Sequence, residues 1–187
     1  MSLDIIIGPM FSGKTTELIR RLNTFASIGK KCIYVNSSLD NRETTNFSTH
    51  NPDLKSLHKL DSIKTSQINY DFSKLLKDYD VIGIDESQLF DHNSITTTIP
   101  YLVDQLGKKV IISGLNGDFK RNKFGKILDL IPQCDTIIKL DPYCSKCAEN
   151  GDIVKALFSK KLGDNKDVVD IGYDNYIPVC RECYKIK

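Results

Sequence analysis

The stretch Gly8-Pro-Met-Phe-Ser-Gly13-Lys14-Thr15 constrains the fold more than any other part of the chain. It follows an apolar run, Leu3 to Ile7, that reads as a short buried strand, and it precedes Leu18, Ile19, Leu22, Phe25 and Ala26 at helical spacing. A strand-to-helix junction is where the pattern G-x-x-x-x-G-K-[ST] works. Glycines let successive backbone N–H groups curl around phosphate oxygens, and the helix N-terminus adds positive potential. The expectation is a nucleotide phosphate loop built from Gly8, Pro9, Met10, Phe11, Ser12, Gly13, Lys14 and Thr15. Lys14 neutralises the β/γ-phosphates and the Thr15 hydroxyl ligates Mg²⁺. The alternative, a glycine turn with a solvated lysine, fits the flanking strand and helix less well.

The rest of the chain repeats the strand-and-helix texture, which predicts an α/β domain with a largely parallel sheet. Gly29 reads as a helix stop. "KKCIYV" gives a second strand, "YDVIGIDE" a third ending in two acids, "KKVIISG" a fourth and "DTIIKL" a fifth, with a helical segment around Ile99 to Leu106. The polar stretch "NSSLDNRETTNFSTHNPDLKS" reads as a long loop. From Asp141 the texture changes to short, turn-rich pieces, so the expected division is 1–140 and 141–187. With 187 residues there is room for one core and a small satellite module. A net charge of +2 with interspersed signs offers no electrostatic footprint for nucleic acid or an anionic membrane. No leader or membrane-length apolar run is evident, which predicts a soluble protein that stays where it is made.

Asp85 and Glu86 end the third strand, at the sheet edge where open α/β sheets bind ligands. One acid there can hold Mg²⁺, directly or through water, while its neighbour polarises a nucleophile. A water nucleophile would make the protein an NTPase, and a small-molecule hydroxyl would make it a kinase. "DESQ" has a helicase-like look, but the chain is too short for a second motor domain and lacks a basic face. Cys144-x-x-Cys147 and Cys180-x-x-Cys183 have the spacing of paired zinc knuckles. Four thiolates leave no open position, so a zinc there is structural. A redox dithiol pair or an iron–sulfur cluster stays open as an alternative reading. Cys32 and Cys134 read as small core residues.

Taken together, "GPMFSGKTTELIRRL", "IGIDESQLF", "GLNGDFKRNKFGKIL", the two cysteine pairs and "VVDIGYDNYIPVCRECY" resemble the zinc-containing thymidine kinase family shared by animals, bacteria and large DNA viruses. The resemblance runs over nearly the whole chain. It implies a P-loop parallel-sheet domain followed by a zinc-ribbon-like module with a lasso loop. The implied reaction moves the ATP γ-phosphoryl group to the 5′-hydroxyl of thymidine, with Mg²⁺ held through Thr15 and Asp85. It places the general base on Glu86 and matches Asp40 and Arg42 to an Asp-x-Arg element near the transferring phosphate. A thymine pocket is implied from Met10, Leu115, Phe119, Phe124 and Tyr176, covered by the lasso strand Asp167, Val168, Val169, Asp170 and Ile171. Leu89 stands where relatives often carry an aromatic residue, and Ile171-Gly172-Tyr173 replaces a more glycine-rich sequence. The resemblance further implies a cytoplasmic homotetramer inhibited by dTTP. The alternative function is a zinc-ribbon P-loop NTPase acting on nucleic acid.

Overall fold

Every residue of the first strand, β1 (Ser2–Gly8), from Leu3 onward is buried, as expected of a strand covered on both faces. The computed structural model describes residues 1–40, 60–163 and 175–186. β1 lies in a six-stranded sheet of order β3-β2-β4-β5-β1-β6. Its other members are β2 (Cys32–Ser37), β3 (Asp61–Thr65), β4 (Val81–Ile84), β5 (Lys109–Leu115) and β6 (Thr136–Lys139). All five pairings are parallel. The C-terminal ends of the strands therefore share one edge, and whatever follows Gly8, Ser37, Ile84 and Leu115 gathers there.

Strand periodicity sorts the core between the two faces. Ile5, Ile7, Ile33, Val35, Ile82, Ile84, Val110 and Ile112 belong to one cluster with Phe72, Ile95, Ile99 and Leu102. These last residues come from α2 (Tyr70–Leu75), α3 (His92–Pro100) and the π turn Tyr101–Gln105 that follows. The intervening residues Ile6, Cys32, Tyr34, Val81 and Ile111 cluster with Leu18, Ile19 and Leu22 of α1 (Lys14–Ser27). At Gly83 a Cβ would stand 2.6 Å from Leu22 Cδ1, so α1 crosses the sheet where β4 has no side chain. Helix α1 ends as its sequence suggests: Gly29 sits at φ 81, and its N–H donates to Ala26 O at 3.0 Å.

The expected α/β parallel sheet is what forms, with three local corrections. Asn36 and Ser37 continue β2 rather than opening a loop, and both are fully buried. Their polarity is satisfied internally: Asn36 Nδ2 donates to Asp40 Oδ2 at 3.1 Å, and the Ser37 N–H donates to Asn36 Oδ1 at 2.8 Å. β3 and α2 add elements that the strand pattern does not announce. The strand containing the acids stops at Ile84, although the Asp85 N–H still reaches Val35 O at 2.9 Å. Cys32 is buried, and Cys134 packs half-buried against the larger cluster.

Beyond β6, α4 (Ser145–Ala148), the antiparallel pair β7 (Phe158–Lys161) and β8 (Tyr176–Val179), and α5 (Arg181–Lys185) surround a separate small cluster. Cys144, Ala156, Val179 and Cys180 form its centre, with Phe158, Ile177 and Tyr184 against them.

Candidate active site

The segment after β1 turns on residues that leave ordinary backbone space. Phe11 at φ 65 and Gly13 at φ 81 are left-handed, and the Gly13 carbonyl then accepts the Glu17 N–H at 2.9 Å to start α1. Gly8 is required by proximity, because a Cβ there would lie 2.3 Å from Leu140 O and 2.6 Å from Ser12 Oγ. Lys14 is only 8% exposed, yet its ammonium folds back to Pro9 O at 2.8 Å. A buried cation lying across a loop is what an anion there would find. Ser12 Oγ is buried with no hydrogen-bond partner among the described residues. Such an orphaned polar atom fits a loop shaped for a phosphate.

Asp85 is the centre of a buried network at the end of β4. Its Oδ2 accepts from Thr15 Oγ1 at 2.6 Å and from Tyr34 Oη at 2.8 Å. Its Oδ1 accepts from Ser113 Oγ and from the Glu86 N–H. Burial pushes the Asp85 carboxyl above its ordinary range, and the neighbouring Glu86 charge adds to this; the Ser113, Thr15 and Tyr34 hydroxyls pull the other way without cancelling it. A carboxylate and a hydroxyl brought together beside a phosphate loop have the chemistry of a Mg²⁺ site.

Glu86 is 9% exposed and left-handed at φ 49. A non-glycine residue costs roughly 1–2 kcal/mol there, and such strain collects where a side chain must be aimed rather than merely buried. Gln88 Nε2, in the 3₁₀ turn Ser87–Leu89, donates to Glu86 Oε2. Asp40 is buried just past β2 on the same edge; its N–H donates to Ser37 O at 3.0 Å, and Lys64 Nζ donates to its carbonyl at 3.1 Å. Arg42 lies outside the described residues, as do Asp167, Val168, Val169, Asp170 and Ile171.

Of the remaining pocket candidates, Phe119 and Tyr176 meet from the two parts of the chain. Leu115 closes β5, and Phe119 and Phe124 follow it, all half-buried. Phe119 faces Tyr176 of β8 with ring centroids 6.5 Å apart. The Met10 N–H donates to Ser159 Oγ of β7 at 2.9 Å. Tyr184 Oη donates to Phe119 O at 2.8 Å, and the Arg121 guanidinium lies 4.6 Å from the Tyr184 ring centroid and 5.5 Å from that of Phe158. Tyr34, Gln88, Ser113 and Ser159 are absent from the sequence-based expectation. Their signal is weak: Tyr34 reads as one more core aromatic, the two serines stand alone, and only Gln88 sits near a motif, two residues beyond Glu86.

The sulfur atoms of Cys144, Cys147, Cys180 and Cys183 all lie within 4.8 Å of one another. Cys147 Sγ is 3.8 Å from Cys180 Sγ and 3.7 Å from Cys183 Sγ. Tetrahedral thiolates at a Zn–S distance of about 2.3 Å would stand about 3.8 Å apart. Burial pushes the Cys144 thiol up, but backbone N–H groups of Cys180 and Cys147 and the neighbouring thiols outweigh it and bring it down to about 7. Cys147 is pushed up, first by its contact with Cys144, and Cys183 is raised by its contact with Cys180. Four thiols in this space cannot all ionise against one another, and a divalent cation removes that conflict. The group can therefore hold a metal such as zinc. No helix among the described residues is long and apolar enough to cross a membrane.

A family model described as thymidine kinase matches residues 1–184. The thymidine kinase of Choristoneura fumiferana entomopoxvirus is 40% identical over 185 residues, covering 98% of this chain and 96% of that protein. That of Amsacta moorei entomopoxvirus is 39% identical over 186 residues, covering 98% of each. That of variola virus is 40% identical over 183 residues, covering 97% and 96%. The Gly8–Thr15 loop against a buried acid, four clustered cysteines and these full-length matches agree: the chain belongs to the thymidine kinase family.

Proposed function

We propose that this kinase transfers the γ-phosphoryl group of ATP to the 5′-hydroxyl of thymidine, with Glu86 as the general base. The observation that carries the residue assignment is the contact of Thr15 with Asp85 at 2.6 Å, directly beside Glu86. It joins the phosphate loop to the acidic turn at one sheet edge. Gly8 to Gly13 cradle the phosphates through backbone N–H groups, and Lys14 turns from Pro9 O to them. Thr15 and Asp85 would hold Mg²⁺, which supplies charge neutralisation for the transferring group when bound. Glu86 takes the proton as the 5′-oxygen forms its bond to the γ-phosphorus, and the bond to the ADP oxygen breaks. Asp40 lies at the same edge, and Arg42 is assigned the guanidinium that stabilises charge on the transferring phosphoryl group.

Met10, Leu115, Phe119, Phe124 and Tyr176 form an apolar, aromatic wall suited to a flat methylated base. The cover over the base is assigned to Asp167 to Ile171, which would read the base edge through backbone groups. Residues 1–140 act as the nucleotide domain and 141–187 as the module that carries this cover. The cysteine cluster holds structural zinc. Homotetramer assembly, dTTP inhibition and a cytoplasmic location complete the reading. ADP release that depends on thymidine supports it, whereas release that depends on polynucleotide, or equal kcat/KM for deoxycytidine and thymidine, overturns it.

A further inference from the structure

We propose that Gln88 is a positioning residue that fixes the Glu86 carboxylate relative to the nucleoside pocket by bridging it to the Leu115 backbone. This rests on Glu86 being the base. Gln88 is 7% exposed. Its Nε2 donates to Glu86 Oε2, and its Oε1 accepts the Leu115 N–H at 3.0 Å. Chemistry fixes the orientation of the amide: turned over, it would set oxygen against a carboxylate oxygen and NH₂ against an N–H.

The amide also has little room to swing. A Cβ on Gly114 would stand 3.0 Å from Gln88 Oε1. A Cβ on Gly125, which is left-handed at φ 67, would stand 2.7 Å from Gln88 Cα and 3.0 Å from its Cβ. Two glycines thus let neighbouring backbone close on the Gln88 side chain.

Glu86 needs such a brace. It sits one residue past the last backbone bond to β2, in left-handed conformation, so the sheet does not dictate where its carboxylate points. A base misplaced by about 1 Å loses on the order of a hundredfold in rate. The type of brace matters as well. A neutral amide holds the carboxylate with one hydrogen bond and leaves its charge intact, whereas a lysine or arginine would neutralise the charge and a glutamate would repel it. Because the other end of the amide reads the Leu115 N–H, the base takes its position from the strand end that also walls the pocket.

The test is a double-mutant cycle on steady-state kinetics, using Gln88→Met, Glu86→Gln and the pair. Gln88→Met conserves volume and removes both hydrogen bonds. It is expected to lower kcat by roughly tenfold to a hundredfold with the ATP KM unchanged. In the Glu86→Gln background the same change should alter kcat by less than about twofold, because its partner's function is already gone. A loss of equal size in both backgrounds overturns the positioning role, as does parent turnover in Gln88→Met. If Glu86→Gln alone keeps parent turnover, the base assignment falls instead. Should Gln88→Met not fold, Gln88→Asn carries the same cycle, its amide one methylene short of spanning both partners.

Discussion

Replacing Tyr34 by phenylalanine removes one oxygen from the interior and leaves the ring in place. That oxygen donates to Asp85 Oδ2 at 2.8 Å, and Tyr34 is fully buried. No water replaces the lost donor by simple exposure. A hydrogen bond to a charged group contributes about 1.5–3 kcal/mol, and Asp85 keeps Thr15, Ser113 and the Glu86 N–H, which argues for the lower half of that range. For a domain of this length, 1 kcal/mol moves Tm by about 2–4 °C, so the variant should melt about 3–9 °C below the parent at slightly alkaline pH. The sign of the pH dependence follows from Asp85, whose carboxyl already lies above its ordinary value. A raised carboxyl destabilises the fold once pH exceeds the ordinary aspartate range, and losing a donor raises it further. The penalty must therefore grow with pH through the folded-state titration of Asp85 and shrink on acidification. Thermal unfolding of both proteins across about pH 5 to 9 reads this directly. An unchanged Tm at alkaline pH, or a penalty that grows on acidification, would refute the argument that Tyr34 stabilises ionised Asp85.

Glu86→Gln should lower turnover by about 10²–10⁴ while ATP-dependent thermal stabilisation persists; turnover near the parent value would remove Glu86 from the role of base. Gly83→Val should destabilise by roughly 1–3 kcal/mol in denaturant unfolding, because its Cβ meets the fully buried Leu22, and a neutral result would mean that α1 can lift from the sheet. Metal analysis of the purified, reduced protein should find about one zinc per chain, and Cys144→Ser should lose both the metal and stability; iron, or no metal in an active sample, overturns the zinc assignment. Cys32, whose thiol is pushed up to about 11 by burial and then by Asp80, should resist alkylation at neutral pH until the protein unfolds.

The parts of the site that were legible in the sequence are those whose chemistry is local. The G-x-x-x-x-G-K-[ST] pattern is visible because backbone turn, cation and hydroxyl are contiguous, and each cysteine pair because two thiols share one turn. Asp85 and Glu86 are readable as acids after an apolar strand, but the left-handed backbone at Glu86 is not. Tyr34, Ser113 and Ser159 act through partners 51, 28 and 149 residues away, and nothing in their own neighbourhoods marks them. β3 was missed because Asp61-Ser-Ile-Lys-Thr contains one apolar residue. It is an edge strand, half-exposed along its length, so its membership of the sheet comes from backbone pairing with β2 rather than from burial. Asn36 and Ser37 misled for the opposite reason: they are polar residues in a buried strand, satisfied by each other and by Asp40.

The hydrogen bond from the Met10 N–H to Ser159 Oγ spans the division drawn at residue 141. One amide of the Gly8–Thr15 loop is thus held by a residue of β7, which packs with the cysteine cluster. Residue 140 is accordingly not a place to cut the chain. A fragment ending near residue 140 would keep every residue of the phosphate-loop motif and lose the group that holds one of its amides. Such a piece should therefore be a poor scaffold for inhibitor screening, and removing a metal held by the cysteine cluster should register at the Gly8–Thr15 loop even though no cysteine lies in it.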